Sequence, residues 1–68
     1  MTIRVNGHDE AIAAGTTIAK LLERLDVPAE GRGVAVAVDA EVVPRGAWAT
    51  HTLDDGAQVE VVTAVQGG

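Results

Sequence analysis

Apolar and polar residues alternate over the first positions of the chain. Ile3 and Val5 have polar neighbours, a pattern that is typical of a half-buried strand. Asn6-Gly7 follows at once and favours a type I′ hairpin turn, because both residues tolerate positive φ. The residues from His8 to Ala13 are therefore predicted to form the return strand, with Ile12 pointing inward.

A helical period then replaces the alternation. Apolar residues recur at i, i+3, i+4 and i+7 and form one stripe: Ile18, Leu21, Leu22 and Leu25. The hydroxyl of Thr16 or Thr17 is predicted to cap the start of this helix. Pro28 is predicted to end it, because proline lacks an amide donor. We expect a mobile polar loop over Ala29–Gly33.

The second half of the chain predicts three more strands joined by tight turns. Val34–Val38 is apolar on both faces, and Glu41–Val43 is a short strand that follows the turn Asp39-Ala40. Asp54-Asp55-Gly56 predicts another tight turn. Val59–Thr63 is the last predicted strand, with alternate valines on one face.

The order of these elements is strand, strand, helix, strand, short strand and strand. It predicts an α+β domain with a ubiquitin-like β-grasp fold, in which one main helix covers one face of a mixed sheet. The first and last strands should lie side by side in parallel. We expect the domain to span residues 1–63, with a flexible C-terminal tail over residues 64–68.

A chain of 68 residues buries a thin core, and Trp48 is its only aromatic residue. A small-molecule pocket of useful size needs several hundred cubic ångströms. We therefore expect a protein that acts through its surface or its end.

The net charge and the cysteine content limit the classes of partner and the cellular compartment that we expect. A net charge of −5 disfavours nucleic acid and favours a partner with a basic docking face. The chain has no cysteine, so we expect neither disulfides nor a thiolate metal site. No signal-peptide pattern is visible, and the apolar run Val34–Val38 is too short to cross a membrane. These features predict a cytoplasmic protein without a membrane partner.

No catalytic group of side chains can be assembled from the sequence. His8 and His51 lie in separate segments without a third ligand at metal spacing, so we predict no metal site. Asp54 and Asp55 precede a glycine, where aspartate usually bonds the amides of its own turn. No glycine loop with phosphate-binding spacing is present. We therefore expect a protein that is not an enzyme.

Trp48 and Arg45 each have two interpretations. Trp48 is predicted first to cap the thin core, and otherwise to contact a partner. Arg45 is predicted to be solvated, or to pair with an acidic group of a partner or steady the tail.

The C-terminus offers the one reactive group, the carboxylate of Gly68. Gly67-Gly68 has no side chain that would hinder entry into a narrow channel, and Gln66 precedes it. A carboxylate must be activated before it can donate an acyl group, and adenylation by ATP is the simple route. Because no nucleotide site is visible in this chain, the activating enzyme must be a separate protein.

The motifs also resemble a known family. The segment Val43–Gly56, with its Val-Pro-Arg, Trp, His and Asp-Gly spacing, resembles the signature of the thiamine-biosynthesis sulfur carrier family, ThiS. Further similarities are Asn6, Ala14-Gly15, the leucines before the helix stop and the terminal Gly67-Gly68.

This resemblance implies a role as carrier and co-substrate without a bound cofactor. Gly68 would be adenylated by an adenylating (E1-like) enzyme that uses ATP. Sulfur from a donor such as a cysteine-desulfurase persulfide relay would convert it to a thiocarboxylate, which then supplies thiazole synthase. Three alternatives stay open at this point: a molybdopterin-type sulfur carrier, a ubiquitin-like modifier of lysines, and a plain binding domain.

Overall fold

The computed structural model describes residues 1–27 and 33–63 of the chain. The described residues form five strands, one α-helix and one 3-10 turn: β1 Thr2–Val5, β2 His8–Ala11, α1 Ile18–Arg24, β3 Val34–Val38, β4 Glu41–Val43, the 3-10 turn Arg45–Ala47 and β5 Gln58–Thr63. The predicted stop at Pro28, the predicted loop from Ala29 to Arg32 and the tail 64–68 lie outside the described residues.

The sheet has the strand order β2-β1-β5-β3-β4. β1 and β5 pair in parallel, whereas the other neighbours are antiparallel. The first and last strands are therefore neighbours at the centre of a mixed sheet, which confirms the predicted β-grasp arrangement. This topology places the start of β5 between β1 and β3, whereas the end of β5 pairs with β3.

The first hairpin has the predicted turn but a shorter return strand. Asn6 and Gly7 have φ values of 52° and 84°, and Val5 pairs with His8, as a two-residue type I′ turn requires. β2 ends at Ala11, two residues earlier than predicted. Ile12 is buried as predicted, and its N–H donates to the Met1 carbonyl over 2.8 Å.

The helix begins as predicted and ends earlier. The Thr17 hydroxyl accepts from the Lys20 N–H over 3.2 Å, so Thr17 is the N-cap. The helix stops at Arg24, before Pro28 is reached. Asp26 takes a φ of 59°, and the Val27 N–H bonds the Leu22 carbonyl over 2.9 Å. This is a Schellman termination, in which a left-handed residue ends the helix without proline.

The core lies between α1 and one face of the sheet. Val59 is buried and Val61 is half-buried on this face, as the alternation predicts, whereas Val62 points to the other side. The buried residues are Ile3, Val5, Ile12, Ile18, Leu21, Leu22, Val36, Val43, Trp48, Leu53, Ala57 and Val59. Among the described residues, no helix has the length and apolar character that a membrane span needs.

Candidate functional site

The central strand β5 carries the candidate site, because it leads to the C-terminus. Its residues pair with β3 up to the last pair, Val34 with Thr63. Gly68 follows Thr63 by five residues. A fully extended chain of that length reaches about 16 Å. The residues Gln66, Gly67 and Gly68 themselves lie outside the described part of the chain.

A side chain from the first turn holds the end of β5. The Asn6 Nδ2 donates to the Val61 carbonyl over 3.0 Å, and the Asn6 Oδ1 accepts from the Val61 N–H over 2.8 Å. Sequence reasoning missed this contact, because a turn asparagine is already explained by its positive φ. No local pattern relates residues that lie 55 positions apart.

The sheet face away from the helix carries an apolar strip beside the end of β5. Val42 and Val62 are 73% and 61% exposed, and the strand register places Ala35 opposite Val62 and Ala37 opposite Val42. Glu60 lies exposed on the same face. Exposed apolar surface of this kind is typical of a contact site for another protein.

A polar hollow of about 520 Å³ lies next to this strip. The side chains of Arg4, Gln58 and Glu60 contribute to its lining, and all three residues are exposed. It is a trough on the surface with a mainly polar lining, and we assign it no ligand.

Trp48 lies in the core. It is 4% exposed, and its indole Nε1 donates to the Val43 carbonyl over 2.9 Å. The interpretation of Trp48 as a core residue is therefore confirmed. A direct partner contact would need an exposed ring, so any influence on a partner must pass through the segment that Trp48 anchors.

Arg45 is exposed in the 3-10 turn, where the backbone N–H of Trp48 bonds its carbonyl over 3.1 Å. Its position is compatible with contact to a partner, and that role stays a prediction.

Asp55, His8 and His51 are the remaining polar residues that were considered as candidates. The prediction for Asp55 is a bond to an amide of its own turn. Instead, the Asp55 Oδ1 accepts from the Thr2 N–H over 2.9 Å and so joins the turn to β1. His8 is exposed and His51 is half-buried. Within residues 1–27 and 33–63, no group of three or more His, Cys, Asp or Glu side chains is placed to hold a metal ion.

Comparisons with known proteins match the whole chain. The ThiS family model matches residues 3–68. The chain belongs to the ThiS family. Over all 68 residues it is 38% identical to the "Sulfur carrier protein ThiS" of Escherichia coli (strain K12), and the match covers 100% of both chains.

Two further ThiS-related findings extend this match. The crystal structure of the thiamine biosynthesis protein ThiS from Geobacter metallireducens superposes with a TM-score of 0.81 at 33% identity, covering 100% of both chains. A protein of Paramagnetospirillum magneticum (strain ATCC 700264 / AMB-1) named "Thiazole synthase" is 34% identical over 68 residues, which make up 20% of its length. The mixed sheet and single helix of this chain thus agree with solved ThiS structures.

Proposed function

We propose that this chain is a sulfur carrier protein of thiamine biosynthesis, and that it acts as a co-substrate instead of a catalyst. The observation that carries the proposal is the match of 38% identity that covers 100% of both chains, with a relative that is named a sulfur carrier protein. The Gly67-Gly68 ending supports it, because the carboxylate of Gly68 is unhindered by any side chain.

The proposed chemistry has three steps. In a separate adenylating enzyme, a carboxylate oxygen of Gly68 attacks the α-phosphorus of ATP, and pyrophosphate leaves. The terminal sulfur of a persulfide, supplied by a relay such as a cysteine desulfurase, then attacks the acyl carbon and AMP leaves. A thiol reduces the acyl disulfide and becomes part of a disulfide itself, which releases the thiocarboxylate.

Thiazole synthase is the proposed recipient of the sulfur. A protein with that name contains, in 20% of its length, a region 34% identical to this chain, which supports a functional link between the two. We place the reaction in the cytoplasm, where the activating enzyme and the sulfur relay would meet the carrier.

The geometry of β5 supports delivery of the tail into another protein. The strand pairs with β1 at Gln58 and Val59 and with β3 as far as Thr63, so a paired strand precedes the last five residues. Beyond this strand the carboxylate can reach about 16 Å, which suits an active site at the bottom of a channel. The exposed valines beside the strand offer the activating enzyme a surface to contact.

The test is ATP–pyrophosphate exchange with the cognate activating enzyme. Deletion of Gly68 and the substitution Gly68→Val should both abolish exchange, because the acyl group is then shortened or hindered at the α-phosphate. Gly46→Val is the matched control: Gly46 is exposed, and no atom lies within 4 Å of where its Cβ would stand. This control should retain normal exchange.

Intact-mass analysis of the protein from cells grown without thiamine completes the test. We expect one oxygen to be replaced by sulfur at the C-terminus. Normal exchange by the protein without Gly68 would contradict the proposal, and so would adducts on lysines of other proteins without any thiocarboxylate.

A further inference from the structure

Asn6 extends the pairing of β5 beyond the point where β1 ends. The β1–β5 ladder pairs Arg4 with Gln58 and Val5 with Val59. The backbone N–H of Asn6 then donates to the Val59 carbonyl over 2.9 Å. After this bond the chain turns into β2, so the backbone of β1 offers nothing opposite Val61.

The side-chain amide of Asn6 takes the place of the missing strand residue. Its NH2 group donates to Val61 and its oxygen accepts from Val61, at 3.0 Å and 2.8 Å, as the N–H and C=O of a peptide group would. On the opposite side of β5, Ala35 and Val34 pair with Val62 and Thr63. Asn6 therefore bonds Val61 on one side of the strand, and the two residues that follow pair with β3 on the other side.

We propose that Asn6 is a positioning residue for the C-terminal tail: its amide fixes the end of β5 and hence the point from which the carboxylate is presented to the activating enzyme. This inference rests on the proposed function, which makes the tail the substrate. Val61 precedes Thr63, the last residue of β5, by two positions. The two bonds between the Asn6 amide and Val61, which we call the clamp, thus act close to the point where the tail follows β5.

Loss of the clamp should weaken productive binding without changing the chemistry. If loss of these bonds lets the end of β5 fray from β3 as well, so that the strand is anchored only up to Glu60, eight residues instead of five separate the anchor from the end of the chain. The reach then grows from about 16 Å to about 26 Å. The effective concentration of the carboxylate at a site of fixed distance falls with length to about the −3/2 power, here about twofold. Because the binding-competent fraction of the carrier falls as well, we expect KM to rise about 3- to 10-fold.

The chain offers a matched pair of variants, Asn6→Gly and Asp39→Gly. Asn6 and Asp39 both have positive φ, 52° and 50°, which glycine adopts readily. Both side chains also bond the backbone of β5: the Asp39 Oδ1 accepts from the Gln58 N–H over 3.0 Å, at the start of the strand far from the tail. Asn6→Gly removes two neutral bonds from the end of the strand, whereas Asp39→Gly removes one charge-assisted bond, which is about twice as strong as a neutral one, from its start.

The experiment measures ATP–pyrophosphate exchange as a function of carrier concentration, beside amide hydrogen exchange of β5. We expect Asn6→Gly to raise KM for the carrier at unchanged kcat and to abolish protection of the Val61 amide. Asp39→Gly should lower stability similarly and leave KM unchanged. Equal KM values for the two variants, or an unprotected Val61 amide in the wild-type protein, would overturn the inference.

The wild-type amide measurement needs no variant, so it remains decisive if Asn6→Gly does not fold. Different results contradict the proposed function and the positioning role of Asn6. A wild-type protein that supports no exchange contradicts the proposed function, whereas normal exchange with an unaltered KM in Asn6→Gly contradicts only the positioning role.

Discussion

The turn between β3 and β4 shows how single residues adopt the conformation that the fold demands. Asp39 and Ala40 have φ values of 50° and 70°, in the left-handed region that glycine favours. For Asp39 a hydrogen bond offsets the cost of this conformation, because its side chain accepts from the Gln58 N–H over 3.0 Å. Ala40 has only a methyl group, and the left-handed conformation costs a residue with a Cβ about 1–2 kcal/mol.

Ala40→Gly should therefore stabilise the protein. The expected gain is about 1 kcal/mol. For a domain of this size, that gain corresponds to a rise of about 4–8 °C in Tm. Thermal unfolding followed by circular dichroism measures it. Ala35→Gly is the matched control: Ala35 is exposed within β3, where glycine only adds entropy to the unfolded chain, so Tm should fall. A lower Tm in Ala40→Gly would contradict this account.

At the scale of elements, the segment after β4 completes the start of α1. The carbonyls of Trp48 and His51 accept from the first helical N–H groups, those of Ala19 and Ile18, each over 3.0 Å. These donors have no partner within a helix. The indole of Trp48 ties the same segment back to β4 through the Val43 carbonyl. The 3-10 segment thus docks by hydrogen bonds at both of its ends.

Trp48→Phe should loosen this docking. The smaller ring leaves the Val43 carbonyl without its donor, which costs about 1–3 kcal/mol. Urea denaturation measures the change in the free energy of unfolding. Val42→Thr is the control, because Val42 is 73% exposed and a surface change there should stay within about 0.5 kcal/mol. If Trp48→Phe were as stable as the wild type but bound the activating enzyme poorly, the core role of Trp48 would be wrong.

At the scale of the whole molecule, the acidic charge is available to partners. The chain contains ten Asp and Glu residues but only five Lys and Arg residues, and no charged or polar residue is buried in the described ranges. Arg4 and Asp9 approach to 3.4 Å, but both side chains are more than half exposed, so the pair adds little stability. The net negative charge therefore affects association with partner proteins.

Binding to the activating enzyme should slow as salt rises. Screening shortens the reach of the charges from about 10 Å at 0.1 M salt to about 3 Å at 1 M, and steered association falls steeply over that range. Stopped-flow association rates measure this. Glu60→Gln, beside the apolar strip, should reduce the salt dependence more than Glu23→Gln on the helix, although both residues are exposed. Equal effects of the two substitutions would argue against docking on this sheet face.

Local signals in the sequence predicted most of the elements. The Asn6-Gly7 turn, the α1 stripe and the alternating valines of β5 each follow from preferences that act over a few residues. Element ends were less predictable. The helix stopped at Arg24 because Asp26 adopted a left-handed conformation, and no strong signal distinguishes that residue from an ordinary polar position.

Long-range relations needed the tertiary structure. Alternation says that Val61 and Val62 face opposite sides, but only the packing of α1 decides which side is covered and which valine stays exposed. The burial of Trp48 likewise depends on the chain's return to the helix start. The contact between Asn6 and Val61 exists because the β-grasp topology makes the first and last strands neighbours, and no local preference acts over a separation of 55 positions.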